Sequence, residues 1–73
     1  MTRSGLPIRF QDERGGWWTV TGRRAGELME LEFVSDSGER RVTRVVPIDD
    51  DAWIAVNEHA WQSLLAQAER RRE

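Results

Sequence analysis

An α+β fold is predicted for this chain. It is an antiparallel four-stranded β-meander, five-stranded if residues 52–56 pair as well, covered on one face by a single C-terminal α-helix. Three features of the sequence predict it. Met29, Leu31 and Phe33 alternate with Glu30 and Glu32, the period-two pattern of a strand with one buried face. The stretches Asp12-Glu13-Arg14-Gly15-Gly16 and Asp36-Ser37-Gly38-Glu39 have the composition of turns. Over residues 57–72, Trp61, Leu64, Leu65 and Ala68 recur at i, i+3, i+4 and i+7 and form one apolar helical stripe. Strands with one apolar face need a cover, and this helix is the segment patterned to supply it.

Taken in order, residues 1–5 are small and polar and are expected to be a disordered N-terminus preceding a single domain, 6–73. Residues 6–11 make a first strand with Ile8 and Phe10 on one face and Arg9 on the other. Residues 17–21 make a second. Its threonines mark the wetter face, which turns Trp18 and Val20 inward and Trp17 outward. Residues 22–26, Gly-Arg-Arg-Ala-Gly, read as a loop. Leu28–Ser35 is the third strand and residues 40–46 the fourth. A two- or four-residue connection sets Phe33 opposite Val42 and Met29 opposite Val46. That register leaves Arg44 opposite Leu31 on the apolar face, its stem packed and its guanidinium reaching an edge. Pro47 ends the strand, Asp49-Asp50-Asp51 turns the chain, and the extended segment 52–56 brings Trp53 under the helix. Asn57 is a suitable N-cap. Val56 and Trp61 are spaced as a hydrophobic staple. Arg70, Arg71 and Arg72 complement the negative helix end.

Length and composition bound the rest. Seventy-three residues make one thin-cored domain, and a chain of this size buries only about 60–65% of its unfolded surface. The chain contains no Cys, so neither a disulfide framework nor a thiolate metal site is expected. It has no apolar run of membrane-spanning length and no secretory h-region, which points to a cytoplasmic protein with no membrane partner. Net charge is −2 and all eleven basic residues are Arg. The charge is blocked: +3 over residues 1–26, −5 over 27–39, +3 over 40–46 and −4 over 49–58. Such blocks favour pairing between neighbouring strands over a uniformly basic surface.

Candidate chemistry is sparse. His59 has only Gln62 and Ser63 as its i+3 and i+4 neighbours, with no nucleophile and orienting carboxylate set around it, so it reads as a solvated first-turn residue. Asp49-Asp50-Asp51 lacks the spacing of a calcium loop and reads as a solvated turn. Glu30 and Glu32 read as cross-strand partners of arginines. No catalytic residue, cofactor or metal ligand is assigned, and an enzyme is not expected. Trp17-Trp18 is the informative pair. Adjacent strand residues point to opposite faces, so a helix covering Trp18 leaves Trp17 uncovered, unless Trp17 folds over a loop or the N-terminus. Around it are placed Thr19, Val34, Arg41, Thr43 and Val45. The expected function is a non-enzymatic interaction module that associates through this face, as a homodimer or with another protein. The alternative is single-stranded nucleic-acid binding, with Trp17 stacking on bases and Arg9, Arg23, Arg24, Arg40 and Arg41 along the backbone.

Two resemblances accompany this reading. Ile8-Arg9-Phe10-Gln11-Asp12, Trp18-Thr19-Val20, Leu31-Glu32-Phe33, Ser37-Gly38-Glu39-Arg40-Arg41, Pro47, Trp53 and the Leu64-Leu65…Ala68 helix end together resemble a group of short uncharacterised bacterial proteins, which implies no activity. The stretch from Ile54 to Leu64 resembles the last strand and helix start of the positive transcription coactivator family. That resemblance implies four antiparallel strands with a C-terminal helix, a dimer, and single-stranded DNA as ligand. The family's basic sheet is not reproduced, because Glu30 and Glu32 stand in it.

Overall fold

A computed structural model describes residues 6–70. Five antiparallel strands lie side by side in chain order: β1 (Ile8–Gln11), β2 (Trp17–Ala25), β3 (Leu28–Ser35), β4 (Arg40–Val45) and β5 (Glu69–Arg70). Two helices, α1 (Asp50–Ile54) and α2 (Glu58–Gln67), connect β4 to β5. The α+β meander with one main C-terminal helix is the predicted architecture. No described helix is long and apolar enough to cross a membrane. The expectation for residues 1–5 lies outside the described residues.

The core is the seam between sheet and helices. Phe10, Trp18, Val20, Leu31 and Phe33 come from the sheet, and Trp53, Trp61 and Leu65 from the helices. Trp61 is its hub. It stacks on Trp53 at 5.7 Å between ring centroids and on Phe10 at 6.1 Å, and meets Phe33 near edge-on at 6.4 Å. The Asn57 side chain accepts from the Ala60 N–H at 2.8 Å, the expected N-cap, and Val56 packs against the same core as Trp61. Two side chains of α2 also reach the outer edge of β1. The Gln11 N–H donates to Glu58 Oε2 at 3.0 Å, and Gln62 Nε2 donates to the Gln11 carbonyl at 2.8 Å. Main-chain groups that an edge strand otherwise offers to another chain are thereby occupied at this residue.

Several boundaries differ from expectation. Residues 22–25 continue β2 rather than forming a loop, and the turn shrinks to Gly26-Glu27. Trp53 is buried as expected, but its segment is the one-turn helix α1, with Asp49 at the N-cap position and no side-chain capping bond, not a strand. Ile54, which the coactivator resemblance makes strand, ends that helix. Helix α2 stops at Gln67 instead of running on to 72, because Ala68 turns extended and the chain joins the sheet as β5, with Arg41 opposite Arg70 and Val42 opposite Glu69. No basic residue occupies the last turn of α2, and Arg70 instead approaches Glu39 at 3.4 Å. Arg71 and Arg72 lie outside the described residues.

The register between β3 and β4 is one residue away from the predicted one. Phe33 faces Arg41, Leu31 faces Thr43 and Met29 faces Val45. The cause is the connection. The Ser35 N–H bonds the Glu39 carbonyl and the Gly38 N–H bonds the Ser35 carbonyl, which closes a three-residue loop, 36–38, with Gly38 at φ +100°. A three-residue hairpin loop ending in a left-handed Gly is a common alternative to two- and four-residue connections. Because side chains alternate, one residue of slip exchanges the two faces of β4.

Candidate interaction face of the sheet

The helices cover one face of the sheet, and the other face carries Trp17. The parity of β2 sends Trp18 and Val20 into the core and Trp17, Thr19 and Thr21 away from it, so Trp17 is 44% exposed. Thr19 pairs across to Val34 and Thr21 to Glu32, which places these side chains on the same face. The Arg9 guanidinium lies over the Trp17 ring, 5.2 Å from its centroid, and also contacts the Asp36 carboxylate at 3.0 Å.

Of the six residues expected around this face, the structure brings Trp17, Thr19 and Val34 together. The register change moves Arg41, Thr43 and Val45 to the helix side. Val45 packs against the core, Thr43 lies opposite buried Leu31, and Arg41 sits over the Trp18 ring at 5.3 Å while reaching the Leu65 carbonyl. Arg40, Val42 and Arg44 take their places on the Trp17 face. Arg44 is thus not on the apolar face, where the predicted register places it. It contacts Glu30 at 3.7 Å, and Arg23 contacts the same carboxylate at 3.1 Å. Covered by these two guanidiniums, the Glu30 side chain is only 11% exposed. Glu32 lies 4.0 Å from Arg40. Of the five arginines considered for a nucleic-acid path, Arg9, Arg23 and Arg40 share the Trp17 face. Arg41 lies on the helix side, and Arg24 bonds the Gly26 carbonyl. Sequence reasoning missed Val42 and Arg44. The signal that could have found them is Asp36-Ser37-Gly38, whose Gly in third position suits the observed loop.

Two carboxylates on the helix side are held below the usual range. Asp12 accepts from the Trp18 indole N–H at 2.8 Å and from the backbone N–H groups of Gly16 and Arg14, and the indole bond is the largest cause of the lowering. Glu39 is lowered chiefly by the Arg41 hydrogen bond at 2.8 Å, with Arg70 adding to it and burial opposing it. Each of these bonds favours the charged form.

His59 is exposed on the first turn of α2. It lines neither the groove of about 450 Å³ beside β4 and β5 nor that of about 410 Å³ between the 12–16 turn and α2. Both are open surface depressions lined in part by ion-paired side chains. Among the described residues, no group of three or more His, Cys, Asp or Glu is placed to hold a metal ion. No family model, curated protein or solved structure matches the chain, so neither resemblance gains support from comparison.

Proposed function

We propose that this protein is a non-enzymatic interaction module that self-associates through the open sheet face centred on Trp17. The observation that carries the reading is a large aromatic, 44% exposed, fixed by strand parity on the face that no described helix covers. The charges around it are already matched within the chain: Arg9 with Asp36, Arg23 and Arg44 with Glu30, Arg40 with Glu32. A face with matched charges and one exposed aromatic suits contact with protein, since docking leaves no ion newly unpaired. A polyanion would have to compete with three carboxylates for the same guanidiniums, and a stacking base would have to displace Arg9 from the Trp17 ring. Support therefore lies with protein contact over nucleic acid.

Sedimentation equilibrium from about 1 to 200 μM tests the proposal, spanning the range in which weak interfaces assemble. The wild-type chain is expected to show reversible, concentration-dependent dimerisation that Trp17→Ala weakens. A monomer throughout would refute it. Titration with a mixed oligonucleotide is the companion assay. Salt-dependent quenching of Trp fluorescence, lost in Trp17→Ala, would replace self-association with the nucleic-acid reading.

A further inference from the structure

The outer edge of β1 is closed at Gln11 and open at Arg9. Gln11 turns its N–H and carbonyl outward, to Glu58 and Gln62, and the Trp17 carbonyl opposite it accepts from the Asp36 N–H on the β3 side instead. Main-chain groups alternate in direction along an antiparallel strand, so Ile8 and Phe10 face β2 and Arg9 faces outward like Gln11. No group among the described residues bonds the Arg9 N–H or carbonyl there. Beside this edge, towards the junction of the two helices, lies a groove of about 260 Å³ lined by Ile8, Phe10, Ile54, Val56, Glu58 and Trp61. Ile54 is 57% exposed and takes no part in the core.

The charge beside the groove is unmatched. Residues 45–69, which include both helices, contain five carboxylates and no Arg or Lys. Glu58 lines the groove, and Asp51, three positions before Ile54, lies on the same side of α1. Neither enters an ion pair among the described residues, whereas Glu30, Glu32, Asp36 and Glu39 each do.

We infer that this edge binds a basic peptide segment in extended form, which adds a short strand to β1. One guest residue, as antiparallel partner of Arg9, closes both main-chain bonds, and its two chain neighbours then point to the helix side. An apolar side chain there fills the groove, and an arginine or lysine two positions from it shares its face and meets Glu58 or Asp51. The added strand is short, because Glu58 and Gln62 occupy the edge at Gln11 and Pro7 has no N–H with which to extend the pairing. Strand addition of this kind draws affinity from main-chain bonds and specificity from alternate side chains. The same carboxylates repel a phosphate backbone. The site goes beyond the self-association reading and uses a different part of Arg9, its main chain rather than its guanidinium.

The test titrates two blocked peptides, Arg-Thr-Leu-Thr-Arg and Glu-Thr-Leu-Thr-Glu, to about 2 mM, which reaches weak association. Each is added to the isotope-labelled chain and to its Trp17→Ala variant, with amide hydrogen exchange read residue by residue. The arginine peptide is expected to bind both chains alike and about tenfold or more tightly than the glutamate peptide. It should slow exchange of the Arg9 amide severalfold and leave that of Gln11, already bonded, unchanged. Ile54→Arg sets a cation at the groove without touching the core, which circular dichroism checks, and is expected to abolish binding. No slowing at Arg9, equal binding of the two peptides, or undiminished binding by Ile54→Arg each overturns the inference. Binding that Trp17→Ala removes would place the peptide on the open face and overturn it as well.

Discussion

Gly38 determines which face of β4 meets the core, and replacing it isolates the cost of that decision. Its φ of +100° is one that side-chain-bearing L-residues adopt at a penalty, and a Cβ built there meets nothing within 4 Å. Gly38→Ala therefore meets no residue beyond its chain neighbours, and its cost is that of the left-handed backbone alone, about 1–2 kcal/mol. A chain of this length has a total stability of about 4–11 kcal/mol, so the loss is a substantial fraction of it. With a urea m-value of about 1 kcal/mol/M for a small domain, the midpoint falls by about 1–2 M with m unchanged. The thermal midpoint falls by roughly 5–15 °C. A chemically synthesised chain with D-alanine at position 38 is the control. Positive φ suits the D-residue, and restricting the unfolded chain adds about 0.4–1 kcal/mol of stability. Equal midpoints for the L- and D-alanine chains would refute the claim that this residue's backbone sets the register.

Four further outcomes are expected. Asn57→Ala removes the cap on Ala60 and lowers stability by about 1 kcal/mol in urea unfolding, as N-cap losses do. Trp61→Ala takes away the residue that touches three other aromatics, and a cost of about 3–5 kcal/mol shows as a fall of about 3–5 M in the urea midpoint. Gln62→Ala frees the Gln11 carbonyl at the sheet edge and costs about 1 kcal/mol, read as faster amide exchange through β1. Because the Asp12 and Glu39 carboxyls are lowered in the folded protein, their stabilisation is complete above the ordinary carboxylate range, near pH 4, and is lost as pH falls through the lowered values. Asp12→Asn should therefore flatten the acid limb of a stability–pH profile, and an unchanged limb would show that the indole bond does not hold that proton off.

Strand β3 was legible because its apolar and acidic residues alternate without exception from Met29 to Phe33. Strand β4 was not, because its arginines fall on both faces: the predicted register leaves Arg40 and Arg44 on the apolar side, and the observed one leaves Arg41. The structure resolves the conflict through Arg41, whose guanidinium lies over Trp18, is tied to Glu39 and reaches the C-terminal end of α2. Gly22-Arg23-Arg24-Ala25 looked like a loop by composition, yet cross-strand pairing with residues 28–31 overrides that local preference. The Trp53 segment looked extended because Trp, Ile and Val favour strands, but burying the indole on Trp61 takes only one helical turn. A two-residue strand such as β5 leaves no periodic trace in sequence. The outward placement of Trp17 followed from strand parity alone, and its side chain is exposed on that face. Its neighbours on β4 depended on a register that only the loop geometry could supply.

The hydrogen bonds from α2 to Gln11 have a kinetic consequence. Each sheet neighbour from β1 to β4 is also the next strand in the chain, so those hairpins zip through short loops on a timescale of about microseconds. Gln62 and Gln11 are 51 residues apart, and closing a loop of that length costs about 3.5 kcal/mol of chain entropy before any contact rewards it. Helix docking is therefore the late step of folding and, by reversal, the early step of unfolding. Substitutions in α2 at the β1 contact should accelerate unfolding and leave the refolding arm of the chevron nearly unmoved. While the helix is away, Gln11 offers its N–H and carbonyl to any passing strand, and the same side chains that complete the fold end that exposure.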